Sequence, residues 1–396
     1  MLKVGPRGAA GERSMSYDVA AVRRLFPAVE RMTYLDAGFQ SPLSVPVKER
    51  LEAFIASSFD TAGPKSEWLS GMEAVRGQLA AFVNAAPEEI AFTKNTSEAM
   101  NIAANALPLE AGDEVLMLEG DHPNNAYAFL NLARKGVETR FLPMPEVVDG
   151  AFFERHLGER TRAISMSLVT FHAGHLFDVE SVGRLCRERG LFFVVDVMQG
   201  IGVVPVDVKK IGATFVGSGT HKGLLLPQGL GFLYWNRKAV DAQPSYMAAI
   251  TLENPPADLI ARHDNMTVAS TARRFEIGNF NLPAVLGLGG ALELLDAIGV
   301  AEIQEHCHAL GDRLIAGLDR LGVGLVGPRA RAHRAPHIYV AALPAAEWLP
   351  YFAEQNIRLS PERDGVRISL GLFSTEADID RFLDAVEARL RASAAA

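Results

Sequence analysis

Cysteine is scarce in this chain: its 396 residues include two, Cys186 and Cys307. That excludes a disulfide-built scaffold and points to a reducing compartment. An excess of positive charge is also missing. Lys and Arg number 39 against 47 Asp and Glu, a formal charge of −8. Such a balance leaves no basic footprint for nucleic acid and no polybasic membrane surface. No run reaches the ~18 continuous apolar residues of a membrane span. Residues 1–16, rich in Gly, Ala and Arg, lack the apolar core of a secretory signal. They read as a mobile extension with Met15 as an alternative start, and the expected location is cytoplasmic.

What is present suits a well-cored chain. Apolar residues make up 48% and charged residues 22%, which supports globular folding and argues against disorder. The length corresponds to two or three domains at the usual ~100–200 residues each. Short apolar runs fall at Glu114–Leu118, Val137–Leu142, Ala163–Leu168, Leu191–Asp196, Thr214–Gly217 and Gly231–Trp235, with helical periodicity between several of them, as at Val179–Arg189. Apolar strands alternating with helices predict an α/β fold whose mostly parallel sheet is covered on both faces. Ligands in such sheets sit beyond the carboxyl ends of the strands. From about Leu295 the pattern changes to a long helix, Val300–Leu321, two short runs, Pro336–Val340 and Gly365–Ile368, and a helix over Thr375–Arg391 capped by Thr375 with Asp378. This end reads as a smaller α+β unit.

Four features carry chemistry, in order. Asn95-Thr96-Ser97 precedes an Ala-rich helical stretch, Glu98–Ala106. Small hydroxyl residues at a helix start suit a phosphate, and serve equally as an ordinary cap. Asp196 ends the apolar run Leu191–Asp196; a carboxylate there needs a cationic or hydrogen-bonding partner, either the next backbone element or a protonated ring nitrogen. Lys222, in Ser218-Gly219-Thr220-His221-Lys222, enters an apolar neighbourhood 26 residues after Asp196. It reads as a snorkelling side chain or as a desolvated nucleophile. Arg367 lies between apolar residues in Gly365–Ser369, where its planar fork calls for a carboxylate, internal or from a substrate.

The ordered set resembles the class V aminotransferase family of pyridoxal-phosphate enzymes, in the branch of cysteine desulfurases and isopenicillin-epimerase-like proteins, from Tyr34-Leu35-Asp36-Ala37-Gly38 to Arg367. The resemblance implies fold type I: a large cofactor-binding domain over 61–295, a small C-terminal α+β domain over 296–396, and an N-terminal segment, 17–60, packing with the latter. It implies pyridoxal 5'-phosphate as cofactor. Lys222 matches the lysine that joins the cofactor aldehyde, Asp196 the partner of the pyridinium nitrogen, and Gln199 the glutamine near the ring hydroxyl. His122 matches the histidine that stacks on the ring. Thr96 and Ser97 match the phosphate cup, closed on its other side by Thr220 and His221. Phe275–Asn279 matches the segment that reaches the neighbouring subunit's phosphate through Asn279, implying a homodimer with shared sites. Arg367 matches the grip on a substrate carboxylate, and His172 stands in a loop that faces substrate in relatives.

Departures matter as much. Desulfurases carry a nucleophilic cysteine shortly before the arginine, and 323–367 has none, so persulfide formation is not expected. Met198 stands for a frequent alanine, Gly219 for a serine and Asn279 for a frequent threonine. Gly322-Val323-Gly324-Leu325-Val326-Gly327 spells a dinucleotide motif but opens no helix, so it reads as a turn and short strand. His306 and His308 flank Cys307 on a helix; residues two apart face different sides, and no metal site is expected. The implied activity is transamination or carbon–sulfur (β-elimination) lysis of an amino acid. The alternatives are an epimerase, which needs a second base, a non-catalytic binding protein of the same fold, and, more weakly, a nicotinamide oxidoreductase.

Overall fold

The computed structural model describes residues 17–395 except 259. Its centre is a seven-stranded sheet made of β1 (Ile90–Thr93), β2 (Glu114–Leu118), β3 (Glu138–Leu142), β4 (Thr161–Ser167), β5 (Phe192–Asp196), β6 (Phe215–Gly219) and β7 (Gly231–Trp235). The spatial order is β1-β7-β6-β5-β4-β2-β3. Strands β2 to β6 pair in parallel, while β7 runs antiparallel to both β6 and β1. Two reversals return β1 to the direction of β6. The loops after β1, β2, β4, β5 and β6 therefore meet at one edge.

Each expected strand lies in this sheet with ends shifted by at most two residues. Alternate residues explain why both faces are apolar. Leu116, Ile164, Phe193 and Val195 pack into one core, and Val115, Ala163, Val194 and Phe215 into another. The seventh strand, β1, was expected only as the apolar pair Ala91-Phe92. Four residues are too few for a periodic signal, and its place comes from pairing with β7.

Three helices not singled out from the sequence, Val45–Thr61, Lys65–Phe82 and Leu282–Ile298, pack together against the sheet. Beyond them the chain forms a four-stranded antiparallel sheet from β8 (Leu325–Val326), β9 (Ile338–Ala341), β10 (Ser360–Glu362) and β11 (Gly365–Ser369). The Gly322–Gly327 stretch is thus a turn leading into β8, as its context predicted. The final helix, Glu376–Ala395, opens on the expected box. The Thr375 amide donates to Asp378 Oδ2 at 2.8 Å, and the Asp378 amide to Thr375 Oγ1 at 3.4 Å.

The amino-terminal segment bridges both sheets. Thr33–Tyr34 pairs in parallel with Ile357–Arg358, Asp36 bridges to Ser369, and the Ser41 amide donates to the His221 carbonyl at 2.9 Å. Backbone bonds thereby tie β11 to the loop that carries Lys222.

Candidate active site

Asp196 ends β5 because the strand before it is fully apolar and the chain turns immediately after. Its Oδ1 accepts from the Met198 amide at 2.8 Å. Burial leaves the carboxylate poorly solvated and pushes its pKa up to about 7, with Asp121 adding to the rise and Lys222 opposing it. A buried acid in that condition is suited to a cation.

Lys222 sits on the turn after β6, half-buried. Burial lowers its pKa to about 8, and the Arg367 guanidinium pushes the same way, against Asp196, Glu362 and Asp36. Among the described residues its amine has no hydrogen bond or ion pair. The turn is held under strain: Leu225, whose amide donates to the Lys222 carbonyl at 2.9 Å, has φ +62°, a region leucine rarely adopts. Burial, and then the neighbouring Lys222, lower the pKa of His221 to about 4.

His122 caps the helix Pro123–Leu130, its Nδ1 accepting from the Asn124 amide at 3.2 Å. Burial, reinforced by the Lys222 charge, lowers its pKa to about 4, so the ring is neutral at ordinary pH. Its edge meets Phe171 at 5.0 Å between centroids. The loop is pinned by Asp121, which takes the His122 amide at 2.6 Å, the Ser167 hydroxyl at 2.5 Å and Asn125 Nδ2 at 3.1 Å. Sequence reasoning assigned Asp121, Asn125 and Ser167 no role. All three are buried and hold the loop that carries His122, Ser167 also lining the cavity, and only the meeting of β2 with β4 reveals them.

Thr96, first residue of the helix Thr96–Ala106, points to the same place, with Asn95 capping through the Glu98 amide at 2.9 Å. Ser97 lies half-buried beside it, outside the cavity lining. The Thr220 hydroxyl is turned away and donates to the Leu230 carbonyl at 3.0 Å. Gln199 donates to the Gly38 carbonyl at 3.1 Å and keeps a buried Oε1 without a partner. The departures at 198 and 219 explain each other. A Cβ on Gly219 would lie 3.1 Å from both Met198 Sδ and Thr96 Oγ1, so a side chain at 219 crowds the larger residue at 198.

Thr96, His122, Asp196, Gln199, His221 and Lys222 line one cavity of about 120 Å³, together with Ser167, Phe171 and Met198. Asn279 does not join them. It is exposed and borders a separate depression with Lys94 and Glu98.

Arg367 is buried on β11 and already has partners. Its Nη1 donates to Glu362 Oε1 at 2.9 Å and to the Phe171 carbonyl at 3.1 Å, and Asp36 lies 3.8 Å from Nη2. His172 is 5% exposed and is not a surface residue. It lies outside the cavity lining, with Nδ1 3.2 Å from Glu362 and Nε2 2.8 Å from Asp364. Neither carboxylate was anticipated: they sit on the short strand β10 and the turn after it, which carry no apolar signal.

These groups fit pyridoxal phosphate. Among the described residues, Asp196 has no ion-pair partner, the Gln199 oxygen has no donor and the Lys222 amine has no partner, and a helix start presents Thr96 where an anion would rest. Comparison with known proteins agrees. The Aminotransferase class-V family matches residues 49–382. An uncharacterised aminotransferase of Schizosaccharomyces pombe is 32% identical over 93% of this chain and 95% of its own. A probable cysteine desulfurase of Methanothermobacter thermautotrophicus is 32% identical over 74% of each chain. Among solved structures, the apo cysteine desulfurase of Thermococcus onnurineus superposes with a TM-score of 0.87 at 24% identity, over 94% of this chain and 98% of its own. The cystine C–S lyase C-DES gives 0.83 at 23% identity, over 91% and 99%. Both share the fold.

Proposed function

The chain belongs to the aminotransferase class-V family of pyridoxal-phosphate enzymes, and on that premise we propose that it cleaves a carbon–sulfur bond of an amino acid by β-elimination, without a protein thiol. The observation that carries this is the convergence of Asp196, Lys222 and His122 on one cavity whose lining includes no cysteine. Cys186 and Cys307 are both buried in helices, and burial pushes each thiol to about 12. Relatives named as cysteine desulfurases support sulfur-containing substrates.

When bound, pyridoxal phosphate supplies an electron sink for the bond broken at the substrate α-carbon. Asp196 would hold the ring nitrogen protonated, Lys222 would hold the cofactor through Nζ, and His122 would pack against the ring. Thr96 and His221, with the backbone of Ser97 and Thr220, would hold the phosphate, and Gln199 would take the ring hydroxyl through its unpartnered oxygen. Lys222 Nζ would accept the substrate α-proton, and the sulfur on the β-carbon would leave with the bonding pair as hydrosulfide or persulfide. Arg367 takes the substrate carboxylate.

Transamination is the second reading, favoured by the S. pombe relative that this chain matches along nearly its whole length. Product analysis separates the two. Pyruvate and ammonia, with hydrogen sulfide from L-cysteine or cysteine persulfide from L-cystine, mean elimination; a persistently aminated cofactor means transamination. Binding with neither product sinks both.

A homodimer is proposed as well. Phe59 and Ile55 are 88% and 62% exposed, and Ile277 beside Asn279 is exposed too; apolar side chains in such positions mark interfaces. Asn279 would then serve the partner's phosphate. Sedimentation tests this, and a monomer at micromolar concentration overturns it. The unpaired cysteines support a cytoplasmic setting.

A further inference from the structure

The arginine expected to receive a substrate carboxylate is already engaged by a carboxylate of this chain. Glu362 Oε1 lies 2.9 Å from Arg367 Nη1. The same Nη1 donates to the carbonyl of Phe171, which lines the cavity, so the Arg367–Glu362 pair lies directly behind that wall. Behind the arginine, Asp36 already supplies a negative charge: it is buried, 3.8 Å from Nη2, and fixed by the Ser360 hydroxyl at 2.5 Å. Arg367 therefore does not need Glu362 for neutrality.

A guanidinium fork holds one carboxylate bidentately; Arg367 Nε is buried, so the edge left for an incoming carboxylate is Nη1–Nη2, and Glu362 takes its Nη1. Glu362 has somewhere to go. Its Oε2 is 3.2 Å from His172 Nδ1, and Asp364 holds the opposite ring nitrogen of His172 at 2.8 Å. Glu362 ends β10 opposite Gly365 and Asp364 lies in the turn between the strands, so a change of rotamer at either breaks no ladder bond.

We propose that Glu362 is a specificity-determining competitor for Arg367: a substrate carboxylate reaches the arginine only by displacing Glu362 onto His172. Glu362 thereby sets how much affinity the site draws from the α-carboxylate. The inference rests on Arg367 as the carboxylate reader.

The test uses the holoenzyme, with spectral titrations of L-alanine and of L-alaninamide, which has the same amine but no carboxylate. Glu362→Gln keeps an acceptor for Arg367 and removes the charge. It should tighten L-alanine about tenfold, the scale of one charge-assisted hydrogen bond released, and leave L-alaninamide unchanged. Arg367→Ala should weaken L-alanine alone. If Arg367→Ala weakens L-alanine but Glu362→Gln leaves it unchanged or weaker, the competition is refuted and the arginine's role stands. If Arg367→Ala leaves L-alanine unchanged, the arginine is not the carboxylate reader and both ideas fall. Equal tightening of both ligands would also refute the competition. Should Glu362→Gln not fold, Glu362→Ala is read by the same ratio.

Discussion

The amide of Gly219 donates to the thioether sulfur of Met198 at 3.1 Å, joining the end of β6 to the turn after β5. Two positions that depart from the family pattern are thus in contact. Gly219→Ser should destabilise the protein by about 1–3 kcal/mol, as overpacking of a filled core does. Met198→Ala together with Gly219→Ser should recover most of that loss and tighten cofactor binding, because the serine hydroxyl gains room to reach the phosphate. A double-mutant cycle in urea, with cofactor affinity measured alongside, checks the coupling. Additive effects would show that the two substitutions are independent.

Removing the Lys222 amine should abolish covalent cofactor retention. Lys222→Ala is expected to lose the visible absorbance of the joined cofactor and to slow turnover by roughly three orders of magnitude or more. An unaltered spectrum after dialysis would disprove the assignment.

Lys222 also predicts a pH dependence. Its pKa is lowered to about 8, first by burial and then by Arg367. Only the neutral amine attacks an aldehyde. Capture of pyridoxal phosphate by apoprotein should therefore be slow below that value, rise as the proton leaves, and level off above about pH 8. Arg367→Ala removes a neighbouring cation, which favours the charged amine, so the midpoint should move upward. Stopped-flow absorbance across roughly pH 6–10 measures both. A wild-type midpoint near the ordinary lysine value would mean that the amine is not desolvated.

Arg76 and Glu276 form an ion pair at 2.6 Å, 3% and 1% exposed. Glu276 also accepts from the Phe92 amide at 2.8 Å, which anchors the start of the segment carrying Asn279 to β1. Arg76→Met strands a buried carboxylate and should destabilise the protein by about 3–5 kcal/mol in urea unfolding. It should also weaken the proposed dimer in sedimentation, because that segment loses its anchor. A loss below about 1 kcal/mol would mean that Glu276 finds another partner or protonates freely.

The sequence by itself determined the large sheet and where its chemistry falls. Runs such as Leu191–Asp196 are apolar on both faces, and burying them leaves few architectures. The resemblance of the ordered series to the class V family named Thr96, His122, Asp196, Gln199 and Lys222 as one set, and loops after parallel strands open at one edge. The capping box of the last helix was equally readable, because it is local in sequence.

Tertiary structure alone decided what depends on partners far along the chain. Strand β1 takes its place from β7, and Asp121 acquires its role by meeting Ser167. Thr220 turns its hydroxyl to Leu230, and His172 turns from the cavity to two carboxylates. That Arg367 is shared between Glu362 and Asp36 was beyond reach for the same reason. Local pattern fixes which surface a residue can bury, but a charged side chain's partner is set by whichever opposite charge the packed fold brings within a few ångströms.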